Sequence, residues 1–308
     1  MKIWTYNING LRNKTDIVKS LLEKHNIDIL FLTETKIKPE LEPSIAQIFS
    51  LENKNKEKET EKKEQKYNII FNSNKRNSYH GVAFLYKAEL NVKLVSNKLE
   101  YYEKTAEQKS VNLRSKNIKL ILNTNKDDIA VDIQRAYETE GRILTIKLEN
   151  PDKNLVIVGT YVPNSGVNRE DPLKRLAFRT TMWDHDLSTY LLNLEKEHQN
   201  VIWLGDLNVA RKDNDLRDVK ANYAGTTLEE RKNMNAFLEK SKWMDVWDVL
   251  NPTILIFKER CTYGVKGNCK LRLDYVICSS SLSTFCKVSE LDQSFEGSDH
   301  VPMGATFL

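Results

Sequence analysis

The sequence predicts an α/β fold in one domain, and three features of its pattern lead to this prediction. Apolar residues come in short blocks separated by amphipathic stretches, the order expected of strands that alternate with helices. Several blocks are apolar on both faces, which is typical of strands in a sheet whose two faces are covered. The blocks extend over all 308 residues without a linker, so strands from the beginning, middle and end should belong to a single domain, 1–308.

The predicted strands are the short apolar blocks, which suit a pleated surface buried between other elements. Their predicted bounds are residues 3–8, 27–33, 67–71, 82–86, 143–148, 155–162, 201–208, 271–278 and 287–291. The amphipathic stretches between them predict helices over residues 14–25, 176–197 and 228–240. Thr227 and Glu230 have the spacing of a capping box, so the last of these helices should begin just after Thr227.

Two charged segments, residues 50–66 and 99–135, are interpreted as insertions into this pattern. The first is rich in Lys, Glu and Asn. It could serve as an arm for nucleic acid, but its nearly balanced charge favours a solvated loop. The second mixes charged residues with an apolar run at residues 118–122, which would suit an extra hairpin or helix. The sequence assigns no role to either segment.

Composition limits the class of protein. The hydrophobic share of 40% suits a soluble protein with polar insertions, and no apolar run is long enough to span a bilayer. The formal net charge of +4 permits a polyanionic partner without requiring one. Residues 1–2 lead directly into the first predicted strand, with no secretory signal pattern. We therefore expect an intracellular protein without a membrane segment, and the sequence does not choose between nucleus, cytoplasm and a viral compartment.

The cysteines all lie near the end of the chain, at Cys261, Cys269, Cys278 and Cys286. No two of them have the Cys-x-x-Cys spacing of a structural zinc site. We expect reduced thiols, as in most intracellular proteins. The alternative is a bridge or metal clip between Cys261 and Cys269 across a loop.

Polar residues with acid, amide and imidazole side chains follow several predicted strands. Residues 7–10 read Asn-Ile-Asn-Gly, residues 205–208 read Gly-Asp-Leu-Asn, residues 297–300 read Gly-Ser-Asp-His, and Glu34 follows an apolar run. Asp206 and Asn208 are two positions apart, so an extended chain would point both to the same face. Carboxylate and amide oxygens are ligands that suit Mg²⁺ or Mn²⁺. This collection is typical of a phosphodiesterase that uses a hard cation.

Six segments together resemble the exonuclease III class of abasic-site (AP) endonucleases, within the endonuclease/exonuclease/phosphatase superfamily. They are residues 6–12, 33–36, 161–166, 205–210, 271–275 and 297–300. Each alone would be a weak signal, but all six occur in family order over nearly the full chain, which is specific. The resemblance implies a DNase I-like four-layer α/β sandwich, in which two mixed β-sheets pack face to face and helices flank them.

The resemblance also implies an activity, which is hydrolysis with Mg²⁺ or Mn²⁺ of the DNA phosphodiester 5′ to an abasic site. The product would carry a 3′-hydroxyl, and 3′→5′ exonuclease and 3′-end-cleaning activities can accompany this reaction in the family. The expected partner is double-stranded DNA with abasic sites or 3′ ends, bound by a monomer. The alternatives are another phosphodiesterase of the superfamily (a retrotransposon-type or DNase I-like endonuclease, a tyrosyl-DNA phosphodiesterase) and a non-catalytic DNA-binding module.

Roles follow for individual residues. The expected catalytic residues are Tyr161, Asp206, Asn208, Asp274 and His300. The expected metal ligands, direct or through water, are Asn7, Glu34, Asp206, Asn208, Asp299 and His300. By resemblance Asp274 holds the ring of His300, whereas the sequence leaves open whether Asp206 or His300 takes the proton from the attacking water.

Further residues match positions that contact DNA in the family. The expected DNA contacts are Asn9, Arg12, Lys36, Arg142, Asn164, Asn222, Tyr223, Thr262 and Tyr263. The expected abasic pocket consists of Arg260, Leu271 and Leu273, where relatives have large aromatic residues at the first two positions. Val167 stands where the human-type enzyme inserts an arginine into the DNA groove. These departures bear on the choice of abasic sites and leave the hydrolytic residues intact.

Overall fold

The computed structural model describes residues 1–50, 66–99, 135–149, 154–166, 173, 175–217, 223–254, 256–265 and 268–308. The described strands are β1 (Lys2–Asn7), β2 (Ile29–Thr33), β3 (Tyr67–Asn72), β4 (Val82–Lys87), β5 (Val92–Ser96), β6 (Ile143–Leu148), β7 (Leu155–Tyr161), β8 (Asn200–Asp206), β9 (Met244–Asp245), β10 (Tyr263–Val265), β11 (Asn268–Leu271), β12 (Asp274–Cys278), β13 (Cys286–Leu291) and β14 (Met303–Phe307). The predicted insertions fall mainly on residues 51–65 and 100–134, outside the described part of the chain.

The helices lie between these strands. The α-helices are α1 (Thr15–His25), α2 (Glu42–Ser50), α3 (Leu176–Phe178), α4 (Asp184–His198), α5 (Leu228–Ser241), α6 (Val246–Leu250) and α7 (Phe257–Arg260). Short 3-10 turns occur at Pro39–Leu41, Asp213–Asp215 and Ser280–Leu282, and π-turns at Arg135–Thr139 and Arg179–Trp183. Among the described helices, none has the length and apolar character needed to cross a membrane.

Two six-stranded mixed sheets form the centre of the structure. The first has the order β13-β14-β1-β2-β4-β3, and the second has the order β5-β6-β7-β8-β12-β9. In each sheet one central pair is parallel, β1 with β2 and β7 with β8, and the other pairs are antiparallel. The carboxyl ends of these four strands lie at one edge, where β12 begins beside the end of β8.

Three hydrophobic clusters explain why the strands are apolar on both faces. Side chains between the sheets, among them Phe31, Phe84 and Ile157, are fully buried. The outer face of the first sheet packs on α1 and α2, and the outer face of the second packs on α4 and α5. Burying one large apolar side chain contributes about 1.5–3 kcal/mol, so these clusters supply most of the driving force for this arrangement. The four-layer sandwich is confirmed.

Most of the predicted elements are confirmed, but the predicted strand 271–278 is interrupted. It divides into β11 and β12 at Arg272 and Leu273. The guanidinium of Arg272 is fully buried and donates two hydrogen bonds to Asp245, at 3.0 and 2.6 Å. A buried guanidinium requires a carboxylate partner, and the chain departs from strand geometry at Arg272, where the side chain reaches Asp245.

Several described elements were missed by the sequence analysis, namely α2, α6, α7, β5, β9, β10, most of β11 and β14. The reason is clearest for β14, whose sequence Met-Gly-Ala-Thr-Phe contains a glycine that weakens a strand pattern. A Cβ at Gly304 would lie 2.4 Å from the indole of Trp4, so this position requires glycine for packing. In contrast, the predicted capping box is confirmed, because Thr227 Oγ1 accepts from Glu230 N at 3.3 Å and Glu230 accepts from Thr227 N.

The cysteines differ from the main expectation. Cys261 and Cys269 form a disulfide with a Cα–Cα distance of 6.0 Å, whereas Cys278 and Cys286 are free and buried. The prediction of reduced thiols is therefore wrong for the first pair, and the alternative of a bridge across a loop is correct. Spacing in the sequence could not decide this, because it does not reveal that β10 and β11 pair and bring the two residues together.

Candidate active site

The predicted site residues meet where the parallel strands end. Asn7 is the last residue of β1, and Glu34 comes directly after β2. Tyr161 and Asp206 end β7 and β8 and are paired in register. Asp274 begins β12 directly opposite Asp206. Residues from distant parts of the sequence thus converge at one edge of the two sheets.

The backbone around the site takes conformations that most residues avoid. Asn9, Glu34 and Asn208 have φ of 48°, 50° and 48°, in the left-handed region. For residues other than glycine this region costs roughly 1–2 kcal/mol. Gly205, with φ of 135°, allows β8 to lie close to β7 at this point. A Cβ on this residue would lie 2.0 Å from Thr160 O and would prevent that approach. Such strain concentrated at strand ends turns the polar side chains toward a common point.

Glu34 is held by three donors. Tyr161 Oη donates to Glu34 Oε1 at 2.9 Å, and Asn7 Nδ2 donates to the same oxygen at 3.1 Å. The Lys36 ammonium lies 2.9 Å from Glu34 Oε2. Burial alone would raise the pKa of Glu34, but the hydrogen bond and charge of Lys36, with the other two donors, outweigh it and lower that pKa. Glu34 is therefore ionised at neutral pH.

Asp206 belongs to a second group with Asp274 and His300. His300 Nδ1 lies 2.8 Å from Asp274 Oδ2, and its Nε2 lies 3.8 Å from Asp206 Oδ2. Burial raises the pKa of Asp206 to about 7, opposed mainly by the charge of His300. Burial would lower the pKa of His300, but Asp274 and Asp206 outweigh it and raise this pKa to about 10. At neutral pH His300 is an imidazolium, and Asp206 gains or loses a proton easily.

Amide side chains connect the two groups. Asn7 Nδ2, which also contacts Glu34, donates to Asp206 Oδ2 at 2.9 Å. The backbone N–H of Asn208 donates to Asp206 Oδ1 at 3.0 Å, so both oxygens of Asp206 have fixed partners. Asn164 Nδ2 donates to Asn208 Oδ1 at 3.0 Å and joins the same network. These bonds orient Asp206 without neutralising it.

The first and last motifs of the chain are tied together at the rim of the site. Asn9 Nδ2 donates to Asp299 Oδ1 at 3.0 Å, and Ser298 Oγ donates to Asn7 O at 2.6 Å. Lys14 was not singled out by sequence, yet its Nζ donates to the carbonyls of Ile8 and Asn9 at 2.7 and 2.8 Å. The turn that presents Asn9 is therefore fixed by a lysine five positions after it, a spacing that carries no recognisable signal.

The donor set fits a hard divalent cation. Asp206, Asp274 and His300 each offer one ligand atom, and these atoms lie within 4.8 Å of one another. Asp274 Oδ1 is buried, and no donor in the described part of the chain lies within hydrogen-bonding distance of it. Because an imidazolium has no free lone pair, the carboxylate oxygens at the site are better ligands for such a cation than His300.

The predicted DNA contacts divide into three groups. Arg12 and Tyr223 are exposed, and Asn9, Lys36, Asn164 and Tyr263 are partly exposed. Arg142 and Thr262 were expected to contact DNA, but both are buried, so their side chains are not presented to a duplex. Arg142 donates to Glu140 at 2.5 Å and to the carbonyl of Tyr161 at 3.1 Å. Asn222 and Val167 lie outside the described residues.

The predicted pocket also needs a correction. Leu271 and Leu273 form a buried apolar cluster with Ala210, against which Tyr263 packs. Arg260 is instead buried in an ion pair, with its Nη2 2.6 Å from Asp215 Oδ1 and 2.8 Å from Asp248 Oδ1. A buried guanidinium that is paired with two carboxylates is not free to contact the sugar or a phosphate.

His80 is a neighbour of the site that none of the sequence motifs includes. Its Nδ1 accepts from Arg142 Nη2 at 3.4 Å, and its ring centroid lies 5.8 Å from that of Tyr161. Burial, and next the charge of Arg142, lower the pKa of His80 to about 3, so this imidazole is neutral. Gly81, which follows it and directly precedes β4, was the available signal for a tight turn beside the site.

Comparison with known proteins identifies the family. Residues 4–300 match the Endonuclease/Exonuclease/phosphatase family, and the chain belongs to this family. The chain is 30% identical over 311 residues to a DNA-(apurinic or apyrimidinic site) endonuclease of Dictyostelium discoideum, covering 99% of this chain and 70% of the relative. It is 26% identical over 314 residues to an exodeoxyribonuclease of Bacillus subtilis (strain 168), covering 98% of each.

A solved structure agrees with the fold. The crystal structure of the AP endonuclease LMAP from Leishmania major superimposes with a TM-score of 0.75. The sequence identity is 22%, and the match covers 99% of this chain and 87% of that one. This likeness establishes the arrangement of the two sheets, while the identity of the site rests on the residues described above.

Proposed function

We propose that this protein is a DNA repair nuclease that hydrolyses the phosphodiester 5′ to an abasic site and leaves a 3′-hydroxyl. The observation that carries the proposal is the convergence of Glu34, Asp206 and the His300–Asp274 pair at one strand edge. Membership of the Endonuclease/Exonuclease/phosphatase family supports it. The Dictyostelium relative, a DNA-(apurinic or apyrimidinic site) endonuclease, supports the substrate.

Asp206 is the proposed base for the attacking water. The sequence left this role open between Asp206 and His300, and the charges at the site favour Asp206. His300 is already protonated at neutral pH because Asp274 and Asp206 raise its pKa to about 10, so it cannot accept a second proton. Asp206, with a pKa raised by burial to about 7, can accept one near neutral pH. Asn208 fixes the carboxylate through its backbone N–H.

The remaining groups stabilise charge. The imidazolium of His300 and the hydroxyl of Tyr161 can donate to oxygens of the phosphate as negative charge develops there. A divalent cation, proposed to be Mg²⁺ or Mn²⁺, would be held by Glu34 with help from Asn7 and Asp299. When bound it would neutralise the phosphate and stabilise the leaving 3′-oxygen. Lys36, now 2.9 Å from Glu34, would then be released toward the DNA backbone.

The DNA-facing surface is proposed to surround this site. Arg12, Lys36 and Tyr223 can contact the backbone, which positions the duplex without reading its sequence. Tyr263, which is partly exposed and packs on the buried Leu271 and Leu273, is the proposed apolar contact for a sugar that lacks its base. All these groups come from one chain, so a monomer is sufficient for the reaction.

The test is cleavage of a labelled duplex with one tetrahydrofuran abasic analogue. We expect one cut 5′ of the analogue in Mg²⁺, none in EDTA, and a loss of at least about 10²-fold in rate for Asp206→Asn. Asp213→Asn is the matched control, because this aspartate is exposed and its ion pair with Arg231 lies at the surface. Degradation of undamaged ends without a cut at the analogue would instead favour an exonuclease, the activity for which the Bacillus relative is named.

A further inference from the structure

We propose that the Cys261–Cys269 disulfide positions the His300–Asp274 pair, so that reducing this disulfide slows cleavage. The inference rests on the proposed nuclease function and adds to it a positioning role for two residues outside the reacting groups. It starts from the location of the disulfide. Cys261 lies one residue before Thr262 and two before Tyr263, both of which contact the site.

The disulfide closes a small two-stranded ribbon. Within it, Gly264 of β10 pairs with Cys269 of β11, and the register shifts next to Tyr263. A ribbon of two short strands is marginally stable by itself, so a covalent link contributes much to its order. The chain between the strands, residues 266–267, lies outside the described part.

The ribbon, together with Thr262 directly before it, contacts three residues of the site, which are Asp274, Asp299 and His300. Thr262 Oγ1 accepts from the backbone N–H of Asp274 at 3.1 Å and from that of Leu273 at 2.9 Å. Gly264 N donates to Asp299 O at 2.8 Å.

His300 is held from the same side. The ring centroid of Tyr263 lies 4.9 Å from that of His300, and the two residues form an isolated β-bridge. Thr262 O accepts from Val301 N at 2.8 Å, directly after the histidine. If the ribbon loosens, Asp274, Asp299 and His300 lose contacts together, whereas Glu34 and Asn7 on the other sheet keep theirs.

The disulfide is also the group that a reductant would reach. Cys269 is partly exposed, so a thiolate can attack its sulfur. One dithiol reduces the disulfide to two thiols and is itself oxidised to a disulfide, with two electrons and two protons transferred. Cys278 and Cys286 are buried, and burial raises their pKa values to about 12 and about 11, which keeps them as unreactive thiols.

The experiment compares oxidised and dithiol-reduced protein on the abasic duplex. Under single-turnover conditions, we expect the cleavage rate to fall at least threefold on reduction and to recover on reoxidation. Affinity for an undamaged duplex, measured by fluorescence anisotropy in EDTA, should change less than twofold, because Arg12 and Lys36 lie outside the ribbon and this duplex has no bare sugar for Tyr263 to contact. A thiol count rising from two to four would verify the redox state.

Two variants serve as controls. Cys261→Ser/Cys269→Ser should cleave at the reduced rate and should not respond to the dithiol, while Cys286→Ala should keep the full response. Equal rates for oxidised and reduced wild-type protein would overturn the proposal, as would four free thiols that cannot be oxidised to a disulfide. An absence of metal-dependent cleavage in both redox states is a different result, which contradicts the proposed function itself.

Discussion

At the scale of single residues, the site depends on residues with a strained backbone and on two carboxyl groups whose pKa values are shifted in opposite directions. Glu34 and Asn208 both occupy the left-handed region, the backbone N–H of Asn208 donates to Asp206, and Asn7 donates to both Glu34 and Asp206. Two carboxylates at one site behave differently because their neighbours differ. Lys36 and two neutral donors lower the pKa of Glu34, whereas burial raises the pKa of Asp206 to about 7. The environment thus keeps Glu34 ionised, as its proposed role as a cation ligand requires, and leaves Asp206 able to accept a proton, as its proposed role as the base requires.

The neutral imidazole of His80 should make the protein sensitive to mild acid. Its pKa is lowered to about 3 in the folded protein, against about 6.5 in an unfolded chain. Between these values the unfolded state binds a proton that the folded state does not, so stability is lost as pH falls below about 6.5. His80→Asn, which suits the φ of 61°, should remove this loss of up to about 1 kcal/mol per pH unit.

Urea unfolding at pH 7.5 and pH 5.5 measures this effect. The free energy of unfolding of wild-type protein should fall between these pH values by about 1 kcal/mol more than that of His80→Asn. Parallel pH dependences for the two proteins would mean that His80 takes up its proton in the folded state, contrary to its contacts with Arg142.

At the scale of elements, the sequence predicted the central strands well because their apolar runs carry the signal directly. It failed where an element is defined by its partners. β14 was missed because Gly304 weakens its pattern, although Trp4 requires that glycine. The break before β12 was missed because the burial of Arg272 depends on Asp245, which is distant in sequence. Short motifs could predict which polar residues converge at the strand ends, but not that Arg260 would form a buried ion pair.

Gly304 provides a test of how β14 packs against β1. We expect Gly304→Ala to destabilise the protein by roughly 1–3 kcal/mol, since the new methyl group would lie 2.4 Å from the Trp4 indole and the core must shift. Val288→Ala on neighbouring β13 is the control; this residue is exposed and should change stability by less than about 0.5 kcal/mol. Equal urea midpoints for both variants would show that β1 and β14 do not pack as described.

Arg272 tests the break between β11 and β12. Arg272→Met should destabilise the protein by about 3–5 kcal/mol, because removal of one partner leaves buried carboxylates of Asp245 and Asp215 poorly compensated. Arg231→Met is matched to it in chemistry, but its partner Asp213 is 95% exposed, so a loss below about 1 kcal/mol is expected. Similar denaturation midpoints for the two variants would contradict the buried ion-pair cluster.

At the scale of the whole molecule, the site exists because two mixed sheets present the ends of their parallel strands at one edge. Asn7 and Glu34 come from the first sheet, and Asp206 and Asp274 come from the second. The sheets approach closely at Gly159, where a Cβ would lie 2.2 Å from the ring of Phe31. The sequence could place each motif at a strand end, but the distances across the sheets follow only from packing of the complete core.

The most direct test of the central claim is the chemical nature of the ends made at an abasic site. A 5′-labelled duplex carrying one natural abasic site is cut by the protein in Mg²⁺, and the labelled product is offered to a DNA polymerase without further treatment. Hydrolysis 5′ to the site predicts one product, ending at the nucleotide before the abasic site, that the polymerase extends immediately because it carries a 3′-hydroxyl. A product that retains the sugar on its 3′ end and resists extension would mean cleavage on the other side of the site, and would contradict the roles assigned to Asp206 and His300.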